Sequence, residues 1–267
     1  MSNKVAGIVI PPRTRLSRRD LLGFAAKGAA SVIVSQSLLA SCAAAATNAT
    51  DTTDTSSTGG TTTTPSTGSA TCVLTAALTE GPYFVDELLN RSDIRTDPVT
   101  GAVSTGIPLA LTFNVSRVAN SACTPLTGAY LDVWHCDAIG TYSDVSGSSR
   151  KFLRGYQITD ANGVAAFTTI YPGWYSGRAV HIHFKLRLFA GSTKTYEFTS
   201  QFFFDDTLTD SVYTQSPYSS RGSRNTRNTD DGIYNSLSTT DKAGLTLQTS
   251  KTTNGYTGVI NLGVTVG

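Results

Sequence analysis

From Val180 to Leu188 apolar residues recur at every second position. Val180, Ile182, Phe184, Leu186 and Leu188 share one face of an extended strand, and His181 and His183 stand side by side on the other. That alternation predicts a half-buried strand whose apolar face packs on a core and whose opposite face presents two imidazoles. Similar β-type patterning runs through residues 108–118, 128–136, 152–159, 164–170, 195–204 and 259–266. Asp160-Ala161-Asn162-Gly163 separates two of these runs, and its Asn-Gly pair predicts a hairpin. The fold class expected is all-β: a β-sandwich of roughly seven or more strands whose long loops carry the site. The polar passage 205–235 reads as a short helix near 207–213, then a loop crossing the surface.

The front of the chain has no such pattern. Residues 1–41 join a basic stretch to a mildly apolar run from Leu21 to Ala40, interrupted by Lys27 and too rich in small residues for a permanent transmembrane helix. Ser17-Arg18-Arg19-Asp20-Leu21-Leu22 resembles the twin-arginine export motif, and Leu39-Ala40-Ser41-Cys42 resembles a bacterial lipobox that would leave Cys42 lipidated and the protein attached to a membrane. An ordinary secretory leader cleaved elsewhere is the other reading. Both send the protein out of the cytoplasm, to the periplasm or cell surface. Residues 43–70, almost entirely Thr, Ser, Ala and Gly, read as a flexible tether or a disordered mature N-terminus. The folded domain is then 71–267, ample for one core.

Charge changes with the leader. The 267-residue chain carries 21 basic and 19 acidic side chains. Six of the basic groups (Lys4, Arg13, Arg15, Arg18, Arg19, Lys27) and one acid (Asp20) lie in residues 1–41, leaving 15 against 18 and a formal net of −3. Without a basic stripe, nucleic-acid binding loses its electrostatic basis. With Cys42 set aside, Cys72, Cys123 and Cys136 allow one disulfide and one free thiol, in keeping with export. Cys72–Cys123 is the favoured pairing, since it would pin the domain's N-terminus to a strand entrance; Cys136 could replace either partner.

His-x-His alone suits a surface strand as well as a metal. No Asp or Glu lies close in sequence to complete a two-His, one-carboxylate set. Tyrosines do occur in two similar turns, Gly140-Thr141-Tyr142-Ser143 and Gly173-Trp174-Tyr175-Ser176. Phenolate is a hard anionic donor that favours Fe(III) over Fe(II), and two phenolates, two imidazoles and a hydroxide would balance a ferric charge. Plainer roles stand beside these: a Tyr next to Gly is usually a packing residue, Arg178 a solvated loop cation, Trp134 and Gln201 core and ladder residues. By strict alternation Arg178 falls on the face opposite His181, so a bend or late strand start must intervene if it is to reach the histidines. His135, opposite Trp134 by parity, reads as structural.

Five blocks in order, Glu80-Gly81-Pro82-Tyr83-Phe84, Val133-Trp134-His135-Cys136 with Gly140-Thr141-Tyr142-Ser143, Pro172-Gly173-Trp174-Tyr175, Arg178-Ala179-Val180-His181-Ile182-His183-Phe184 and Gln201-Phe202-Phe203-Phe204, together resemble the intradiol ring-cleavage dioxygenases. The resemblance runs from about Cys72 to Asp231. It is nearest to the protocatechuate 3,4-dioxygenase-like branch and its exported relatives, because the helical N-terminal domain of the catechol 1,2-dioxygenases has no counterpart here. It implies that Tyr142, Tyr175, His181 and His183 ligate a mononuclear non-haem Fe(III). Arg178 matches an arginine that stabilises the ketonised substrate, Gln201 a glutamine beside the metal ligands, and Trp134 a pocket wall. Gly81, Pro82 and Tyr83 fall where relatives line the substrate pocket, in some of them from a different subunit, which leaves a homo-oligomer open.

The implied partners are a small aromatic diol and O2. The diol loses both phenolic protons and chelates Fe(III), with Tyr175 as proton acceptor; O2 attacks the activated ring, and a cyclic anhydride hydrolyses to a cis,cis-muconate-type diacid. Two other classes stay open at this point: a catalytically inactive cell-surface binding module on the same scaffold, and a copper or zinc enzyme built on the His-x-His pair.

Overall fold

A computed structural model describes residues 73–145 and 147–267. The leader, Cys42, the linker 43–70 and Cys72 lie outside the described residues.

Among the described residues nine strands form two sheets. In the first, β1 (Pro108–Ala119) is central: its first half pairs antiparallel with β5 (Val164–Ile170), its end with β2 (Ala122–Pro125), and its other edge runs parallel to β9 (Gly255–Val264), which pairs with β8 (Gln248–Thr252). The second is antiparallel throughout, in the order β4 (Arg154–Ile158), β3 (Tyr130–Trp134), β6 (His181–Ala190), β7 (Thr193–Phe203). The inner faces supply Leu109, Leu111, Phe113 and Val115 from β1, Ile260 and Leu262 from β9, Leu131 and Val133 from β3, and Ile182, Phe184 and Leu186 from β6, all buried. Phe113 joins the layers, its ring centroid 5.9 Å from those of Phe184 and Phe202. Each such side chain contributes about 1.5–3 kcal/mol by leaving water. The fold is the expected all-β sandwich.

Two expectations are corrected. Asp160–Gly163 does turn the chain, with the Asp160 carboxylate accepting from Asn162 N–H and Val164 N–H at 2.8 Å. It does not close a hairpin, however, because β4 pairs with β3 while β5 pairs with β1. The turn is a corner between sheets. The strand β6 is also not half-buried: His181, His183, Lys185 and Arg187 are at most 5% exposed. The outer face of the second sheet is covered by a strap, residues 76–91. Ala76 O accepts from the Ser200 hydroxyl, Thr79 O from the Gln201 amide, and Leu89 O from Tyr156 N–H, carrying the strap from β7 across to β4. Glu80 and Asp86 pair with Lys185 and Arg187 on the way.

Strands β2 and β8, absent from the pattern reading, are short, polar edge strands with no buried face to leave a period. The expected helix is α1 (Asp206–Tyr213), capped by the Asp205 carboxylate at Leu208 N–H. Two further helices, α2 (Gly232–Asn235) and α3 (Thr239–Gly244), are too short for a helical period and start at caps on Asp231 and Ser238. Cys123 is disulfide-bonded and Cys136 is free and buried, so Cys136 takes neither disulfide position. Among the described residues no helix is long and apolar enough to cross a membrane.

Candidate active site

His181 opens β6 and His183 follows on the same outer face. Because the strand begins only at His181, Arg178 lies in the preceding turn and escapes the parity that would have sent it to the other face. The late start requires the Ala179 carbonyl to face the His181 ring: Nδ1 lies 2.6 Å from Ala179 O, so Nδ1–H donates and Nε2 carries the lone pair. That Nε2 is 3.1 Å from His183 Nε2 and 3.1 Å from the Tyr175 hydroxyl. Two imidazole nitrogens meeting at this distance require something between them, a shared proton or a cation.

Burial, then the Arg178 charge, pushes the His181 imidazole down to about 3, and burial and the neighbouring His181 push His183 well below its ordinary value. Both rings are neutral, the form that binds metals. Burial pushes the Tyr175 phenol up to about 12 and the Tyr142 phenol well above its usual range. The Tyr142 hydroxyl is buried without a hydrogen-bond partner; Tyr175 is near enough to perturb it but not in bonding geometry. A buried phenol with nothing to bond is costly by about 1–3 kcal/mol, and it is the orphan that a cation at this point would satisfy. The Trp134 indole N–H and His183 Nδ1 are orphaned beside it. Among the described residues no three His, Cys, Asp or Glu side chains cluster to hold a metal. Tyr142 and Tyr175 are therefore needed with the two histidines to make a four-donor set, hard oxygens and imidazoles that suit a ferric ion.

The two tyrosine turns are held together by Asp137. Its carboxylate accepts from Ile139 N–H (3.0 Å) and Thr141 N–H (2.8 Å), and its carbonyl from Gly140 and Gly173 N–H, both at 3.0 Å. Both glycines are required. A Cβ on Gly140, at φ +86°, would stand 2.2 Å from Trp174 O, and one on Gly173 would stand 2.5 Å from Asp137 O. Beyond Tyr142, the buried Arg154 guanidinium donates to the Ser143 hydroxyl and carbonyl and, at 3.1 Å, to Tyr83 O, tying the strap to the same turn.

Arg178 is oriented from two sides. Nε donates to Asp231 Oδ2 at 2.9 Å and Nη2 to Gln201 Oε1 at 2.5 Å, while Nη1 sits 3.5 Å from His181 Nε2. Asp231 is fully buried and also accepts from Ala179 N–H (2.8 Å), Ile233 N–H (2.7 Å) and Tyr234 N–H (3.1 Å). Burial alone would raise its carboxyl, but these donors and the Arg178 charge outweigh it and hold it below the ordinary aspartate range.

Of the expected pocket residues, Tyr83 stacks on Tyr142 at 4.4 Å and lines a cleft of about 690 Å³ together with Tyr142 and Tyr175. Gly81 backs His183, where a Cβ would come 3.4 Å from Cε1, and Pro82 is exposed on the strap. Neither lines that cleft, and all three belong to the same chain as the histidines. Trp134 is not a wall of the cleft either: it lies flat against the His183 ring, 4.9 Å away and 8° from parallel, fixing that ring from behind. His135 is buried and bonds Cys136 O and the Thr169 hydroxyl, a structural role. Asp137, Arg154 and Asp231 were not singled out in the sequence. For Asp231 the available signal was its place as a helix cap in Asp230-Asp231-Gly232, and for Asp137 the Asp-x-x-Gly turn before Tyr142.

A sandwich with two histidines and two tyrosines converging at the end of a buried strand defines a class, and the family profile described as Dioxygenase, Dioxygenase_C, matches residues 79–218, over half of the chain. The protein belongs to the intradiol ring-cleavage dioxygenases, enzymes that act on aromatic diols with O2 and generally use non-haem Fe(III). Among solved structures it is similar to the intradiol ring-cleavage dioxygenase of Tetranychus urticae, with 29% identity and a TM-score of 0.63 over 73% of this chain and 95% of that one. The dioxygenase domain of a dioxygenase carbohydrate-binding protein fusion from Streptomyces sp. SirexAA-E is also 29% identical, with a TM-score of 0.53 over 73% of this chain and all of that one. Hydroxyquinol 1,2-dioxygenase from Pseudomonas putida DLL-E4, at 17% identity and a TM-score of 0.50 over 73% and 67% of the two chains, shares the fold. No curated protein matches by sequence.

Proposed function

We propose that this chain is an exported Fe(III)-dependent enzyme that opens a catechol-type diol with O2 to a cis,cis-muconate-type diacid, with Tyr142, Tyr175, His181 and His183 as the metal's ligands. The observation that carries the reading is the meeting of His181 Nε2, His183 Nε2 and the Tyr175 hydroxyl at 3.1 Å contacts beside the unpartnered Tyr142 hydroxyl. When bound, the ferric ion is a Lewis acid and template that favours the doubly ionised diol and makes its ring reactive toward O2.

The protein's own groups have separate tasks. Tyr175 is the less buried of the two tyrosines and lines the cleft, where its oxygen, ionised as a metal ligand, would take a proton from a diol hydroxyl. Arg178 is a fixed cation beside the histidines. Its Asp231 and Gln201 partners leave it no freedom to reorganise, which is what makes a charge effective in stabilising negative charge that develops on the substrate. Gln201 acts through Arg178 and the strap, since its amide also donates to Thr79 O at 2.6 Å. Trp134 and the Ala179 carbonyl fix the two imidazole planes.

Export, with twin-arginine signalling and lipidation at Cys42, is part of the proposal, and the disulfide at Cys123 supports an oxidising compartment. Folding before transport would let iron enter in the cytoplasm, away from competing copper and zinc. Fractionation of cells with acyl-chain mass analysis of the mature N-terminus tests that part. For the chemistry, the test is a visible absorption spectrum with iron quantified, before and after anaerobic catechol. A red-brown band at near-stoichiometric iron that moves to longer wavelength with catechol is the expected result. A protein that stays colourless after ferric reconstitution refutes the ligand set and leaves a binding module on the same scaffold.

A further inference from the structure

The cleft beside the site is larger than its reaction needs. About 690 Å³ lies within the range that takes up a drug-sized ligand, whereas a single-ring diol would occupy only the inner end, against Tyr83, Tyr142 and Tyr175. The outer part is built from Val103, Ile139, Phe152 and Pro217. Val103 and Ile139 are 59% and 46% exposed, apolar side chains held out at the mouth without a protein partner to cover them. Their positions are set by backbone bonds: Ile139 N–H is held by Asp137, and the Val103 loop is closed by Asp97 N–H to Ala102 O at 2.8 Å and Ser104 N–H to Arg95 O at 3.0 Å. The wall is therefore preformed.

Two charged side chains line the cleft. Arg150 bonds the buried Asp97 carboxylate through Nε at 3.1 Å and lies over the Phe152 ring at 5.6 Å. The Asp137 carboxylate is occupied by Ile139 and Thr141 N–H. Arg150 stays half exposed at the rim, and the large side chains beyond the tyrosines, Val103, Ile139, Phe152 and Pro217, are apolar or aromatic.

We infer that the substrate is a catechol bearing a bulky aryl substituent, whose diol head sits at the tyrosines and histidines and whose second ring lies against Val103, Ile139 and Phe152. This rests on the reaction proposed above. The balance is that of ring opening: the carbon–carbon bond between the two hydroxyl-bearing carbons breaks, and each of those carbons gains one oxygen atom from O2. The four electrons that reduce O2 come from the ring, and the two phenolic protons reappear on the diacid. The substituent is untouched.

The test compares iron-loaded protein on catechol, on catechol with a phenyl group para to one hydroxyl, and on protocatechuate, whose substituent is a carboxylate. The expected result is a kcat/KM at least about tenfold higher for the phenyl-substituted diol than for either of the others, the scale that added apolar contact supplies. Its dissociation constant in anaerobic titration should be lower by a similar factor. Ile139→Trp, or Val103→Trp, fills the outer cleft from an exposed position and should reduce the phenyl-to-catechol ratio about tenfold, at unchanged iron content and melting temperature. Catechol or protocatechuate turned over as well as the phenyl diol, or a ratio indifferent to both tryptophan variants, overturns the inference and leaves the proposed reaction standing. Failure of all three diols on iron-loaded protein overturns the reaction itself, and the inference with it.

Discussion

Replacing Asp231 by Asn removes one charge and leaves the shape, and the structure says what that should cost. The two carboxylate oxygens serve different donors: Oδ1 receives Ile233 and Tyr234 N–H, and Oδ2 receives Arg178 Nε and Ala179 N–H. An amide has one oxygen, so either orientation turns an NH2 toward two donors and loses two bonds. Turned toward α2, it frays the helix start; turned toward Arg178, it releases a guanidinium only 18% exposed that faced a fully buried anion. A bond to a charged group is worth about 1.5–3 kcal/mol and a neutral one about 0.5–1.5, which places Asp231→Asn at about 2–4 kcal/mol of destabilisation. At about 2–4 °C per kcal/mol for a domain of this size, the melting temperature should fall by roughly 5–15 °C. Since Arg178 keeps its Gln201 contact, kcat should fall about 10- to 100-fold, less than the 10²–10³ of losing a transition-state donor outright. Thermal melts, single-turnover rates and the KM for diol are the assays. A double-mutant cycle separates positioning from mere stability: Arg178→Ala should cost much less in the Asp231→Asn background than in the parent. An Asn variant with the parent's melting temperature and kcat within about twofold of it would refute the claim that Asp231 orients Arg178.

Tyr142→Phe deletes a buried hydroxyl that has no partner, so the metal-free protein should lose no stability and gain up to about 1 kcal/mol, while iron retention and the visible band both fall; urea unfolding of metal-free protein and iron titration give the two readings. Gly140→Ala puts a Cβ on Trp174 O in a left-handed backbone conformation and should cost at least about 1–3 kcal/mol in strain, with both tyrosine turns disturbed, read as a lower melting temperature together with lost iron. Acid should destabilise the metal-free protein in a defined window. Burial pushes His135 down to about 4 and His181 down to about 3, with His183 also well below its ordinary value, so the native state holds no proton on them where the unfolded chain does. Stability is fully present above the unfolded value of about 6.5 and falls as pH drops toward 4, with a slope approaching about 4 kcal/mol per pH unit if all three charge on unfolding. Melting temperature against pH checks it, and His135→Gln should reduce the slope by about one proton's share; an unchanged slope contradicts the assignment.

The strands with a buried inner face were legible as alternation, and β1, β5 and β6 lie within two residues of where the pattern put them. The strands without one were not: β2 and β8 are polar edge pieces whose only commitment is backbone pairing. The Asn-Gly turn was read correctly as a turn and wrongly as a hairpin, because local turn chemistry reverses the chain without saying which sheet receives the next strand. Alternation along β6 likewise suggested a solvated outer face, since a charged or imidazole side chain looks polar whether water or a strap covers it. Lys185 and Arg187 are buried there because the strap carrying Glu80 and Asp86, some 100 residues earlier, covers them, its carboxylates joining Glu197 and Asp132 of the neighbouring strands.

What the sequence by itself determined is the set of groups and their local phase: two imidazoles on one strand face, two tyrosines each following a glycine turn, an arginine just ahead of the strand, and an apolar face sufficient to bury it. What only the tertiary structure decided is how those groups are held. Asp231 and Gln201 reach Arg178 from 53 and 23 residues away, Asp137 docks two turns through glycines that must lack a Cβ, and Trp134 closes behind His183 from a neighbouring strand. Period and propensity are properties of adjacent residues, imposed by backbone geometry every two positions. Hydrogen bonds and contacts between distant segments are imposed by the packing of two sheets and leave no period along the chain.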